Sequence, residues 1–259
     1  SNLNRLLNNK QENYVRPALF LLLIILLSSM PVHATDNNSN SSETQLTKTA
    51  AIEALKGIQG EVLSVDPAEV PGLYLVTMKM QNKVVPIYLD GSGSYLFTGN
   101  VIRLKDRKNL TEDHYQRLNP VDISTIPLDD ALIVGSPKAT QRIIVFTDPH
   151  CPYCSKLHKV LHEAVKVNPD LAFYNKLLPL NPSSRQITET ILCNKSMDQL
   201  EMAFAGKTLP EPNCKSDIVE KNLVLAQQLG IRGTPTIILP NGQISPGYKP
   251  LDELLELVK

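Results

Sequence analysis

The spacing of apolar and polar positions divides the chain into five stretches. Ala18–Leu27 is an uninterrupted apolar run, ended by Pro31 and His33, and is well below the roughly 20 residues that a membrane-crossing helix needs. Thr35–Thr44 is rich in Asn and Ser and cannot bury enough apolar surface to order itself. Ala50–Leu55 carries helix formers and stops at Gly57. Short segments follow at Glu61–Val65, Leu73–Met80, Val84–Leu89, Ser94–Phe97 and Val101–Leu104. The turn signals Asp66-Pro67, Pro71-Gly72, Gln81-Asn82, Asp90-Gly91 and Gly99-Asn100 separate them, which predicts a meander of antiparallel strands. A unit this small is near the lower limit for a core that stands alone.

Beyond it, Arg107–Leu118 is charged and reads as helical with Thr111 as its N-cap, and Asn119–Asp130 carries Pro120 and Pro127. The stretch 107–130 is expected to be a linker, part helical and part extended. A second domain begins near Ala131. Ile143–Thr147 is a continuous run of strand formers, the mark of a strand buried on both faces. Cys151–Val167 then places Leu157, Val160, Leu161, Ala164 and Val165 at three-and-four spacing, which predicts a helix. Leu171–Leu177 reads as a strand, and Ser183–Ala205 and Asp217–Leu229 as helices. Thr236–Leu239 and Gln243–Tyr248 flank Pro240-Asn241-Gly242 as a hairpin, and Leu251–Val258 is a closing helix. A strand pair with a crossover helix, followed by a hairpin, fits an α/β layer of the thioredoxin type.

Charge and composition narrow the function. The 259 residues include 26 Lys+Arg and 26 Asp+Glu, no Trp and 5% aromatic residues. A balanced charge disfavours nucleic-acid binding, which needs a basic face to displace phosphate counterions, and few aromatics disfavour a base-stacking surface. Arg5, Lys10 and Arg16 precede the apolar run, and Val32-His33-Ala34 follows it. That order predicts a secretory signal peptide cleaved after Ala34. The expected organisation is therefore 1–34 signal peptide, 35–49 flexible segment, 50–106 first domain, 107–130 linker and 131–259 second domain.

The four cysteines are Cys151, Cys154, Cys193 and Cys214. An even count in an exported chain predicts two disulfides, with three possible pairings. The spacing of Cys151 and Cys154 favours pairing them, leaving Cys193 with Cys214. Two separate buried thiols are the alternative for that second pair. A bridge there closes a loop of about twenty residues, worth roughly 3 kcal/mol in the chain-entropy model.

Cys151-Pro152-Tyr153-Cys154 stands where a strand gives way to a helix. A cysteine at a helix N-terminus faces unpaired backbone N–H groups that stabilise a thiolate, and the thiolate is the nucleophile of thiol–disulfide exchange. Cys154, one turn on, can reach back to resolve a mixed disulfide. Pro152 in the first turn costs no helix hydrogen bond. A zinc site needs two further ligands, and no second short-spaced Cys/His pair exists. His158 and His162 are four apart on one helical face, but Lys159-Val160-Leu161 between them lacks a metalloprotease glutamate. Haem attachment needs His after the second cysteine, where Ser155 stands. No metal and no cofactor are expected. His150, just before Cys151, either adds positive charge near the thiolate or is a solvent-facing loop residue. Lys156 reads as solvated.

Gly233-Thr234-Pro235-Thr236 is the second signal. A proline just before an apolar strand is unusual in a central ladder. From sequence alone its bond is expected trans. A cis bond would set the Thr234 backbone beside the cysteines, ready to pair with a bound peptide.

These residues resemble the DsbC/DsbG family of bacterial periplasmic disulfide isomerases. The likeness is carried by Ile144 to His158 with the Cys-Pro-Tyr-Cys centre, by Cys193 through Cys214 with Ala205-Gly206-Lys207 between, and by Gln228 to Thr236. Asn241-Gly242 and Pro246-Gly247-Tyr248 extend it. The resemblance implies an α+β, cystatin-like N-terminal dimerisation domain, then an α/β thioredoxin-like domain with a helical insertion. It implies Cys151 as nucleophile, Cys154 as resolving cysteine, Pro235 as a cis-proline with Thr234 binding substrate, and Cys193–Cys214 as a structural disulfide. The dipeptide Pro152-Tyr153 would tune redox poise. It further implies a periplasmic homodimer whose cleft takes misfolded disulfide-containing exported proteins, kept reduced by a DsbD-type membrane reductase. Three activities fit: isomerase of wrong disulfides, DsbG-like reductase of sulfenylated cysteines, and holdase chaperone acting without its thiols.

Overall fold

The computed structural model describes residues 45–214 and 216–259. The apolar run Ala18–Leu27, the cleavage site expected at Ala34 and the stretch Thr35–Thr44 lie outside the described residues. Helix α1 spans Lys48–Ala54, capped by the Thr47 side chain on the Ala50 N–H, so this helix starts slightly earlier than the expected boundary at 50. Strands β1 (Glu61–Pro67), β2 (Leu73–Met80), β3 (Lys83–Asp90) and β4 (Leu96–Phe97) form an antiparallel sheet in that order. Its core is small: Leu46, Ala51, Leu55, Val62, Val76, Met78 and Leu89.

The region after it departs from expectation. The strand within Val101–Leu104 is Ile102–Arg103 (β5), and instead of joining the meander it pairs with Lys108–Asn109 (β6) as a separate two-stranded ribbon. Helix α2 spans Leu110–Leu118, and its N-cap is Asn109, whose side chain accepts the Glu112 N–H. Thr111 instead bonds the Val101 N–H through its hydroxyl. Within 107–130, the expected linker, α2 is the helical part, and the segment after it is bonded at two points. The Asn119 side chain accepts the Val84 N–H and donates to the Val84 carbonyl on β3. Two residues on, the Val121 N–H donates to the Gly242 carbonyl at 2.8 Å. Both domains therefore grip the connecting segment.

The second domain is a five-stranded sheet in the order β11-β10-β8-β9-β7. Its strands are Leu132–Gly135 (β7), Gln141–Thr147 (β8), Leu171–Leu177 (β9), Thr236–Ile238 (β10) and Ile244–Pro246 (β11). β8 and β9 run parallel; the other pairs are antiparallel. Helix α3 (Pro152–Val167) is the crossover between β8 and β9. β8 is buried on both faces. Ile143 and Val145 pack on Leu157, Leu161 and Ala164 of α3 and on Leu254 of α7 (Leu251–Leu257). Ile144 and Phe146 pack on Ile126, Leu178, Ala226 and Ile231.

The stretch Ser183–Ala205 is two helices rather than one. α4 (Pro182–Asn194) ends at Lys195, which is left-handed with φ 46°, and α5 (Met197–Phe204) restarts with Ser196 capping the Gln199 N–H. α6 follows over Ile218–Gln228. Beneath this block Lys176, 1% exposed, is ion-paired with Asp130 and donates to the Pro127 carbonyl at 2.8 Å. Asn222 of α6 donates to the other Asp130 oxygen at 2.8 Å. A buried charge is tolerable only when paired and hydrogen-bonded in this way.

Candidate active site

Two neighbouring strands deliver the two halves of the site. β8 ends at Thr147, and β10 begins at Thr236, which is opposite Phe146 in the antiparallel register. The loop leaving β8 therefore meets the loop entering β10. The first carries Asp148 to Cys151 and the second Gly233 to Pro235.

Cys151 is the N-cap of α3 and makes no side-chain capping bond. Pro152 occupies the first turn, where a missing N–H costs nothing. The Cys151 sulfur is half-buried and donates to the Thr234 carbonyl at 3.4 Å. Cys154, one turn along, is 1% exposed and accepts the Asp148 N–H at 3.4 Å. Burial pushes its thiol up to about 12. The two sulfurs are free thiols with different access: one faces outward, the other is enclosed.

Pro235 is joined to Thr234 by a cis bond. The Pro235 carbonyl accepts the Gly247 N–H at 2.8 Å, and the Thr236 hydroxyl donates to the Gly233 carbonyl at 2.7 Å. A cleft of about 700 Å³ adjoins Thr234 and Pro235, with Tyr115 and Gln116 of α2 on its other wall. Tyr153 is exposed, and the Lys156 ammonium is 5.3 Å from its ring centre. His150 is exposed, its Nδ1 3.4 Å from the Ser183 hydroxyl. Away from this centre, Cys193 and Cys214 are bonded, with S–S 1.98 Å and Cα atoms 5.7 Å apart. That bridge ties the end of α4 to the segment before α6.

One organising residue escaped the sequence reading. The Asp148 carboxyl is buried; one oxygen accepts the His150 N–H at 2.8 Å, the other the Leu180 N–H at 2.8 Å and the Ser184 hydroxyl at 3.0 Å. It thus fixes the loop before Cys151 to the start of α4, while its own N–H meets Cys154. The only local signal was an acidic residue ending a buried strand.

The family model described as a thioredoxin-like domain matches residues 128–259, and the model for the disulfide bond isomerase protein N-terminal domain matches residues 37–112. The chain belongs to the DsbC/DsbG family of thioredoxin-like disulfide isomerases. It is 30% identical over 172 residues to the probable thiol:disulfide interchange protein DsbC of Bordetella avium strain 197N, covering 65% of this chain and 60% of that protein. It is 28% identical over 199 residues to the thiol:disulfide interchange protein DsbC of Escherichia coli K12, covering 75% of this chain and 80% of that one. The crystal structure of Proteus mirabilis ScsC in a transitional conformation aligns at TM-score 0.44 and 25% identity, over 51% of this chain and 73% of that chain. The match thus spans about 60% of the length of the Bordetella relative. Among the described residues no helix is long and apolar enough to cross a membrane.

Proposed function

We propose that the chain is a periplasmic thiol:disulfide interchange protein that isomerises or reduces incorrect disulfides in exported proteins. The observation that carries this reading is the unequal pair: Cys151 half-buried at a helix N-terminus beside the Thr234 carbonyl, and Cys154 enclosed one turn behind it. The Cys151 thiolate attacks one sulfur of a client disulfide. The client S–S bond breaks, the second client sulfur leaves as a thiolate and takes up a proton, and a mixed disulfide joins Cys151 to the client. A client thiol can then displace Cys151, which rearranges the client with no net redox change. Alternatively Cys154, losing its proton, attacks Cys151; the client leaves reduced and Cys151–Cys154 is left oxidised. A DsbD-type membrane reductase restores the dithiol.

In this reading Thr234 and Pro235 hold an extended client backbone, while His150, Pro152 and Tyr153 set the reactivity of the pair. Cys193–Cys214 is structural. The N-terminal domain serves as a homodimerisation surface. Its support is the small core of that domain together with exposed Leu96 and Phe97 on edge strand β4 and Leu104, 87% exposed, beyond β5. The test is refolding of a scrambled four-disulfide protein in a glutathione buffer. Native activity regained at a catalytic rate, and lost in Cys151→Ser, is the expected result. No regain despite a reducible Cys151–Cys154 pair would overturn the isomerase and favour reduction of sulfenylated cysteines.

A further inference from the structure

A cluster of side chains of metal-ligating types lies further along the cysteine-bearing helix, one and two turns beyond Cys154. In the sequence His158 and His162 stand four apart on one helical face with no glutamate between them, and no metal is expected there. The fold supplies the carboxylate from another helix. The break at Lys195 turns α5 back so that Glu201 faces α3. The Nε2 atoms of His158 and His162 are 3.2 Å apart, and Glu201 Oε1 is 3.8 Å from the first and 3.6 Å from the second. All three donor atoms fall within 4.8 Å of one another.

We propose that His158, His162 and Glu201 form a binding site for a divalent transition-metal ion of the zinc class, joining α3 to α5. Tetrahedral zinc with ligand bonds near 2.0–2.1 Å holds its donors about 3.3 Å apart. The two imidazole nitrogens already stand at that separation. The carboxylate needs to close by only a few tenths of an ångström, and Glu201 is an exposed side chain free to do so. Two imidazoles and one carboxylate are a ligand set that zinc accepts, with a fourth position left for water. Here that position opens on a cavity of about 490 Å³ bordered by Ser155 and Lys159. His158 is the anchor: it is 7% exposed and packs against Phe204, ring centres 5.1 Å apart. Its Nδ1 has no hydrogen-bond partner among the described residues. Sites lacking that supporting bond are typically 10–100-fold weaker, so the ion is exchangeable.

The test uses the full chain with Cys151 and Cys154 oxidised to their disulfide, so that thiols cannot bind the probe. Titration with Co²⁺ is expected to give the visible absorption of a four-coordinate ion at one equivalent, displaced by Zn²⁺. At free Zn²⁺ about 100-fold above Kd, the thermal midpoint should rise by roughly 5–10 °C. His162→Ala and Glu201→Ala change a half-buried and an exposed side chain and should leave the fold intact by circular dichroism; each should weaken Zn²⁺ binding at least tenfold. Saturation by neither ion, or the same affinity in both folded variants, would overturn the site and leave the histidines as an imidazole–imidazole hydrogen bond. His158→Ala, which opens a buried space, adds a second check: Zn²⁺ must no longer raise its midpoint.

Discussion

The sulfur of Cys151 donates to the carbonyl oxygen of Thr234 at 3.4 Å across a sequence separation of 83 residues. No local motif creates this pairing. It exists because β8 and β10 are hydrogen-bonded neighbours, with Phe146 opposite Thr236. Cys154 sits behind Cys151, its sulfur held against the Asp148 N–H, so an incoming sulfur reaches the first cysteine and not the second.

That order of access predicts a trap. Cys154→Ser removes the enclosed thiol and leaves the accessible one, so mixed disulfides with a disulfide-bearing client should accumulate on a non-reducing gel. Cys151→Ser should form no such adducts. Adducts on Cys151→Ser would assign the attacking role to Cys154.

Alkylation of the reduced native protein should be confined to one site. A thiol raised to about 12 stays protonated as pH climbs through 7 to 9, and the protonated form is the unreactive one. Mass spectrometry after iodoacetamide at pH 8 should show a single adduct at Cys151, with Cys154 modified only after unfolding. Two adducts on folded protein would contradict the enclosure of Cys154.

Asp148→Ala removes the acceptor for two backbone N–H groups and a hydroxyl. Leaving buried donors unpaired should cost about 3 kcal/mol, lowering the thermal midpoint by roughly 6–12 °C. Calorimetry of the variant against the parent reads this directly. An unchanged midpoint would mean that water satisfies those donors and that Asp148 does not organise the loop.

The double variant Cys193→Ser, Cys214→Ser opens a loop closed across 21 residues. It should lose about 3 kcal/mol of stability in urea denaturation while still reacting at Cys151, which lies outside that loop. Equal stability would show that the helical block holds itself together without the bridge.

Gly242 tests the grip on the connecting segment. Its φ is +82°, and a Cβ there would lie 2.1 Å from the Val121 carbonyl oxygen. Gly242→Ala should therefore push Val121 away and break the 2.8 Å bond between them. Limited proteolysis should then cut faster within residues 119–127, with Cys151 reactivity retained. Unaltered cleavage would mean that the segment is held without the Val121–Gly242 bond, by Asn119, Ile126 and Pro127.

Much of this centre could be read without coordinates, because its signals are local. Cys151 and Cys154 share one helical turn, Pro235 directly precedes a strand, and Ile143–Thr147 announces a strand buried on both faces. What escaped depends on partners far along the chain. Asp148 takes its meaning from Leu180 and Ser184, over thirty residues away, and Glu201 from histidines some forty residues earlier. The helix break at Lys195 carries neither Gly nor Pro; Asn194 and Ser196, residues that favour helix ends, were its only trace. β7 was missed because Leu132–Gly135 is four residues long, follows two acidic residues, and is recognisable as a strand only through its pairing with β9. The N-cap of α2 was misplaced at Thr111 because Asn109 and Thr111 are equally good caps by composition, and tertiary bonding chose between them.

Because the Cys151 sulfur and the Thr234 backbone sit on loops that leave adjacent strands, the gap between them follows from the strand spacing of about 4.8 Å. Side-chain chemistry does not set it. The residues between the cysteines and the dimensions of the centre are thus separately determined: Pro152 and Tyr153 could be exchanged while the aperture keeps its width. A change of one residue in the register of β10 would do the reverse, preserving every reactive group and misaligning all of them at once.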